Sequence, residues 1–74
     1  MTRSSPDLAI ALRLRIGREQ ARLSQRQIAA LLGVSLGAYQ HWERGRIAIR
    51  ASQIEHVARA VGKPPEWFYQ GAGA

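Results

Sequence analysis

Arg44, Arg46 and Arg50 fall within seven residues, and no acidic residue lies between them. A guanidinium is a planar fork of donors that matches phosphate oxygens, and the edge of guanine, better than a lysine ammonium does. The bias runs through the whole chain. Ten of its 11 basic residues are arginine, five residues are acidic, and the formal net charge is +6. Such a balance favours polyanionic partners, nucleic acid foremost. A solvated basic surface, or a GC-rich codon bias toward arginine and alanine, accounts for the same composition. Charge alone leaves both readings open.

Other chemistries find little support. The residues supply no nucleophile–base pair, no metal cluster and no phosphate loop, so we expect no enzyme and no cofactor. There is no cysteine, which excludes disulfides and thiolate metal sites and fits a reducing cytoplasm. His41 and His56, with few acids, make a poor zinc set. No apolar run reaches the ~18 residues needed to cross a bilayer. Met1 to Asp7 are polar, contain Pro6 and lack the apolar centre of a signal peptide; residues 1–6 are expected to form a flexible arm.

With 74 residues, the chain is one domain at most, and such a chain buries only about 60% of its unfolded surface. Helical periodicity dominates, broken at regular intervals, with no repeat and no hairpin signal. The first helix is expected from Asp7 to Arg22, capped by Asp7 or Ser5 with Pro6 in its first turn. Its stripe is Ile10, Leu14 and Ala21, with Arg18 between them. The second helix spans Gln25 to Leu32; Ser24 and Gln27 form a capping box, and Ile28, Ala29 and Leu32 face inward. Gly33 ends it and Val34 fills the turn. Ser35 caps the third helix, which runs to about Arg44 and points Tyr39 and Trp42 at the core. Ile47 and Ile49 anchor the following loop. A fourth helix, Ser52 to Val61, buries Ile54, Val57, Ala58 and Val61. Pro64 and Pro65 open a short last helix from Glu66 to Tyr69, and residues 71–74 should fray.

Two short helices joined through Gly33-Val34-Ser35 have the geometry of a helix-turn-helix. Small Ala29 lets the second helix approach closely. The stretch LSQRQIAALLGVSLGAYQHWERGR, residues 23–46, resembles the phage repressor and Cro-type helix-turn-helix domains. The resemblance continues through IEHVARAVGKPPEWF, residues 54–68, and reaches back to Arg18, so it covers most of the chain. It implies an all-α fold of five short helices, lambda-repressor-like, over residues 7–70. The third helix, about 35–44, would lie in the major groove of double-stranded DNA.

The same resemblance implies site residues. Arg18 and Glu43 stand where relatives carry an ion pair tying helix one to helix three; a cytosine contact by Glu43 is the alternative. Gln25 matches a phosphate-binding glutamine at a helix start, with Arg26 beside it. Arg44, Arg46 and Arg50 occupy a loop that follows the DNA backbone, and Arg3 of the arm could reach a groove. Bases would meet Ser35, Leu36, Gly37, Gln40 and His41. Gln40 is chemically suited to adenine, His41 to guanine or cytosine, and Leu36 to a thymine methyl. Each phosphate-binding candidate has a plainer reading as a solvated surface residue, and so does His41. Leu36 and Gly37 carry no hydrogen-bonding side chain, so DNA shape must contribute to specificity.

The implied function is a bacterial, phage-type transcriptional regulator, a repressor acting as a homodimer. Candidate dimer surfaces are Leu12 with Ile16, or the closing helix through Phe68 or Tyr69, with Trp67 assigned to the core. An antitoxin that represses its own operon is an alternative, although a toxin-binding tail is not evident. A protein-interaction module that has lost DNA readout is another, favoured by Leu36 and Gly37.

Overall fold

Ser24 and Ser35 set where the two central helices begin. Both are extended, and each hydroxyl oxygen accepts from the backbone N–H three residues on, Gln27 at 3.0 Å and Ala38 at 3.1 Å. At Ser24 the bond is returned: its N–H donates to Gln27 Oε1 at 2.8 Å, completing the capping box. The computed structural model describes residues 6–70. In order come α1 (Pro6–Gln20), α2 (Gln25–Leu32), α3 (Leu36–Glu43), α4 (Ala51–Val61) and a 3-10 helix (Pro65–Tyr69). The architecture is therefore all-α in five short pieces, with no strand among the described residues. The arm with Arg3, the Ser5 cap and the tail from 71 lie outside the described residues, as does the side chain of Asp7.

Helix ends reverse through left-handed residues. Gly33 (φ 70°) donates to Ala30 O at 3.2 Å while Val34 N–H reaches Ala29 O at 3.0 Å, which closes α2 and starts the turn. The first helix closes in the same way around Arg22 (φ 60°), with Arg22 N–H on Glu19 O and Leu23 N–H on Arg18 O. This corrects the expected end at Arg22: the regular helix stops at Gln20, because the chain must turn left-handed before it can enter the Ser24 cap. Gly45 (φ 70°) has a second constraint, since a Cβ there would sit 2.6 Å from Leu8 Cδ2.

The core forms where α1, α2, α3, α4 and the 3-10 helix converge. Leu14, Ile28, Tyr39, Ile54, Val57 and Phe68 are fully buried, with Leu32, Val34, Trp42, Ile49, Val61 and Trp67 packed around them. Two expectations are corrected. Ile47 is 53% exposed and is no anchor. The N–H groups of Arg46 and Ile47 both reach back to His41 O, which folds the loop tightly onto the end of α3 and leaves Ile47 outside. In the closing segment Phe68 is fully buried in the core, with Trp67 packed partly buried against it, so Phe68 is not available to a partner. A 3-10 helix turns about 120° per residue, so one of three successive aromatics faces fully inward. Trp67 is half-buried, edge-on to Phe68 at 5.0 Å, with Arg13 and Lys63 each 4.6 Å from its ring centroid. Tyr69 faces outward.

Candidate nucleic-acid interface

Glu43 ends α3 with a carboxylate only 4% exposed. Burying that charge is costly unless its acceptor sites are filled. Four donor groups fill them. Arg18, from α1, gives Nε to Oε2 at 2.5 Å and Nη2 to Oε1 at 3.3 Å. Tyr39, one turn earlier on α3, donates its hydroxyl to Oε2 at 2.5 Å. Gln25, the first residue of α2, donates Nε2 to Oε1 at 3.1 Å. Arg18 Nη1 also donates to Leu23 O at 2.9 Å, pinning the loop between α1 and α2. One carboxylate thus ties three helices together beside the turn.

The electrostatics follow from this arrangement. Burial by itself would raise the Glu43 carboxyl, but the hydrogen bonds from Arg18, Tyr39 and Gln25 outweigh it and hold the group below its ordinary range. Burial also pushes the Tyr39 hydroxyl strongly up, and its bond to Glu43 adds to that. The hydrogen bond to Glu43 raises Arg18 despite some desolvation.

Outside this knot lies the outer face of α3. Leu36, Gly37, Gln40, His41 and Arg44 recur at spacings of three and four, so they share a side of the helix. Gly37 and Arg44 are exposed, while Leu36, Gln40 and His41 are half-buried. Ser35 is exposed and stands just before α3 as its cap, so its oxygen is engaged while its hydroxyl hydrogen remains a donor. The His41 ring has Nδ1 enclosed and without a hydrogen-bond partner, so any contact from it runs through Nε2. Arg26, Arg46 and Arg50 are exposed. Arg50 is also the cap residue of α4, but through its backbone, with no side-chain cap bond.

Two connections go beyond the sequence-based expectations. The Tyr39 hydroxyl joins the Arg18–Glu43 pair, and the four-residue spacing of Tyr39 and Glu43 on one helix is the signal that points to it. Gln40 Nε2 donates to Gln25 Oε1 at 3.1 Å. That contact spans 15 positions and has no local signature.

A helix pair joined by this capped turn, with a polar and arginine-flanked outer face on its second helix, defines the helix-turn-helix class. Residues 9–66 match the helix-turn-helix domain family, and the chain belongs to it. It is 35% identical over 63 residues to an uncharacterized transcriptional regulator in the ATPase CF(0) region of Rhodospirillum rubrum, a match covering 85% of this chain and 58% of that protein. It is also 24% identical over 66 residues to uncharacterized HTH-type transcriptional regulators of Sinorhizobium medicae and Rhizobium meliloti, covering 89% of this chain and 48% of each. The chain thus spans about half the length of these curated relatives. No solved structure gives a significant match.

Proposed function

We propose that this chain is the DNA-binding domain of a transcriptional regulator of the repressor and Cro type, seating α3 in the major groove of an operator. The carrying observation is the outer face of α3: Gln40 and His41 lie beside exposed Ser35 and Gly37, with exposed Arg44 and Arg46 where the helix ends. Gln25, Arg26, Arg44, Arg46 and Arg50 grip phosphates, and Ser35, Leu36, Gly37, Gln40 and His41 meet base edges. Arg18 and Glu43 hold the frame from behind and touch no base. The names of the relatives, each a transcriptional regulator, support the same reading. In this reading two copies occupy half-sites about 34 Å apart and repress by covering the operator. Leu12 and Tyr69, exposed on α1 and on the 3-10 helix packed against it, are among the exposed large hydrophobic residues and are the ones this reading assigns to their contact.

The test is selection of duplexes from a random pool, followed by gel shifts at ~50 mM salt, where phosphate contacts are strong. Enrichment of a two-fold symmetric sequence is expected. Absence of binding to any duplex at that salt overturns the reading.

A further inference from the structure

Leu31, near the end of α2, is 64% exposed, more than any other large apolar side chain among the described residues. A lone exposed leucine needs no explanation. This one stands between two hollows and lines both. The first, about 490 Å³, lies between α2 and α4 and is bounded by Leu31, Leu32, His56, Arg59 and Ala60. The second, about 420 Å³, is bounded by Leu23, Gln27, Ala30 and Leu31. No acidic residue lines either one. Most cations of the described residues have a task elsewhere. Arg13 and Lys63 lie over Trp67, Arg15 pairs with Glu19, and Arg18 with Glu43. Arg26, Arg44, Arg46 and Arg50 are assigned to phosphates. Arg22 and Arg59 remain. Arg59 lines the first hollow, and Arg22 directly precedes Leu23 of the second. Both are exposed, and among the described residues neither side chain has an ion pair, although Glu55 stands one turn before Arg59 on α4.

We propose that this α2–α4 face docks an acidic amphipathic helix of a partner protein, which straddles Leu31 and sets an apolar side chain in each hollow. The bordering elements are helices, and the described residues offer no strand edge to extend. The fitting mode is therefore a helix laid in a groove, anchored by apolar residues at i and i+4 or i+7. Its Asp or Glu side chains meet Arg59 on one side and Arg22 on the other. A second copy of this chain is a poor occupant, because it brings another formal charge of +6 to a basic rim. Its α1, where exposed Leu8 and Leu12 lie, holds three arginines against two acids. None of the lining residues is assigned to a phosphate or a base, so helix and duplex do not compete. The inference thus stands apart from the DNA-binding reading.

The experiment starts by selecting from a displayed library of helical peptides against the whole chain, without DNA. Enriched peptides should carry apolar residues at i, i+4 and i+7, flanked by Asp or Glu. The tightest of them, made as a synthetic peptide, should shift the backbone amide resonances of Ala30, Leu31, Arg59 and Ala60. Leu31→Ser and Arg59→Gln should each weaken its binding at least about 5-fold, the mark of a contributing interface residue. Both positions are exposed, so the thermal midpoint of each variant should show the fold intact. The same peptide with lysine in place of its acids should bind at least about 10-fold more weakly, because like charges then face each other. Failure to enrich any peptide overturns the inference. So does a peptide held as tightly by Leu31→Ser, or one indifferent to the exchange of its acids for lysine. A dimer of the chain that Leu31→Ser dissolves also overturns it, since a second copy is then the occupant. A chain that binds the peptide through Leu31 and Arg59 but binds no duplex supports the inference and overturns only the DNA reading.

Discussion

At the residue scale the structure turns on one carboxylate. Arg18 and Glu43 are legible from the stretches that resemble repressors, and the geometry places Arg18 Nε 2.5 Å from Glu43 Oε2 with side chains 12% and 4% exposed. The Tyr39 hydroxyl and the Gln25 amide are not legible, because periodicity shows which face a side chain occupies and not where its polar end goes. Removing one partner of a buried pair costs about 3–5 kcal/mol, since the other charge is left stranded. Arg18→Ala should therefore consume much of the stability of so small a domain, read as a collapse of the thermal midpoint. Replacing the polar set together, as Arg18→Met, Tyr39→Phe and Glu43→Leu, should return the midpoint toward wild type, because no charge or hydroxyl is then stranded. The same carboxylate sets an acid limit. Its folded-state pKa lies below the ordinary 4.5, so its contribution is fully present above that pH. As pH falls past 4.5 the unfolded chain takes up the proton first, and stability declines until the folded-state carboxyl also titrates. Urea midpoints between neutral pH and about pH 3 should show this fall, and Glu43→Gln should flatten it.

At the scale of elements, the helices are legible wherever a local device marks a boundary. Ser24, Gln27 and Ser35 announce their caps, Gly33 announces the end of α2, and Gly62, left-handed at φ 74°, the end of α4. The end of α1 is hidden because an arginine, Arg22, occupies the left-handed position where a glycine would have marked it. The order of the aromatics is hidden because Glu66 to Tyr69 lie in a tight 3-10 turn, in which a helical stripe of period 3.6 does not apply. Gly37 poses a different question. It lies inside α3, and a Cβ there would meet nothing within 4 Å. Gly37→Ala should therefore raise stability by about 0.5–1 kcal/mol through helix propensity alone. If the glycine is there to let the α3 backbone approach the duplex, the same variant should bind DNA more weakly while melting higher. Equal or tighter binding by a more stable variant would remove Gly37 from the base-facing set.

For the whole molecule the question is how charge becomes affinity. The net charge of +6 is legible at once, but its deployment is not. Arg18 is committed to Glu43, Arg15 pairs with Glu19 at 3.3 Å, and Arg13 lies over Trp67. Arg26, Arg44, Arg46 and Arg50 stand exposed around α2, α3 and the loop after it. On the proposed reading these arginines displace counterions from phosphates, and removing any one of them should lower the slope of log affinity against log salt by about 0.9. Replacing Arg44 and Arg46 together by alanine should thus reduce the slope by about 1.8 for each bound copy. Affinity should fall alike on every duplex, with the preferred sequence unchanged, because these side chains touch the backbone and not base edges. The measured slope also counts copies. A change near about 1.8 on the selected operator means one domain bound, and a change near about 3.6 means two. A preferred sequence that changed along with the slope would instead place Arg44 or Arg46 on a base edge, as a guanidinium on guanine.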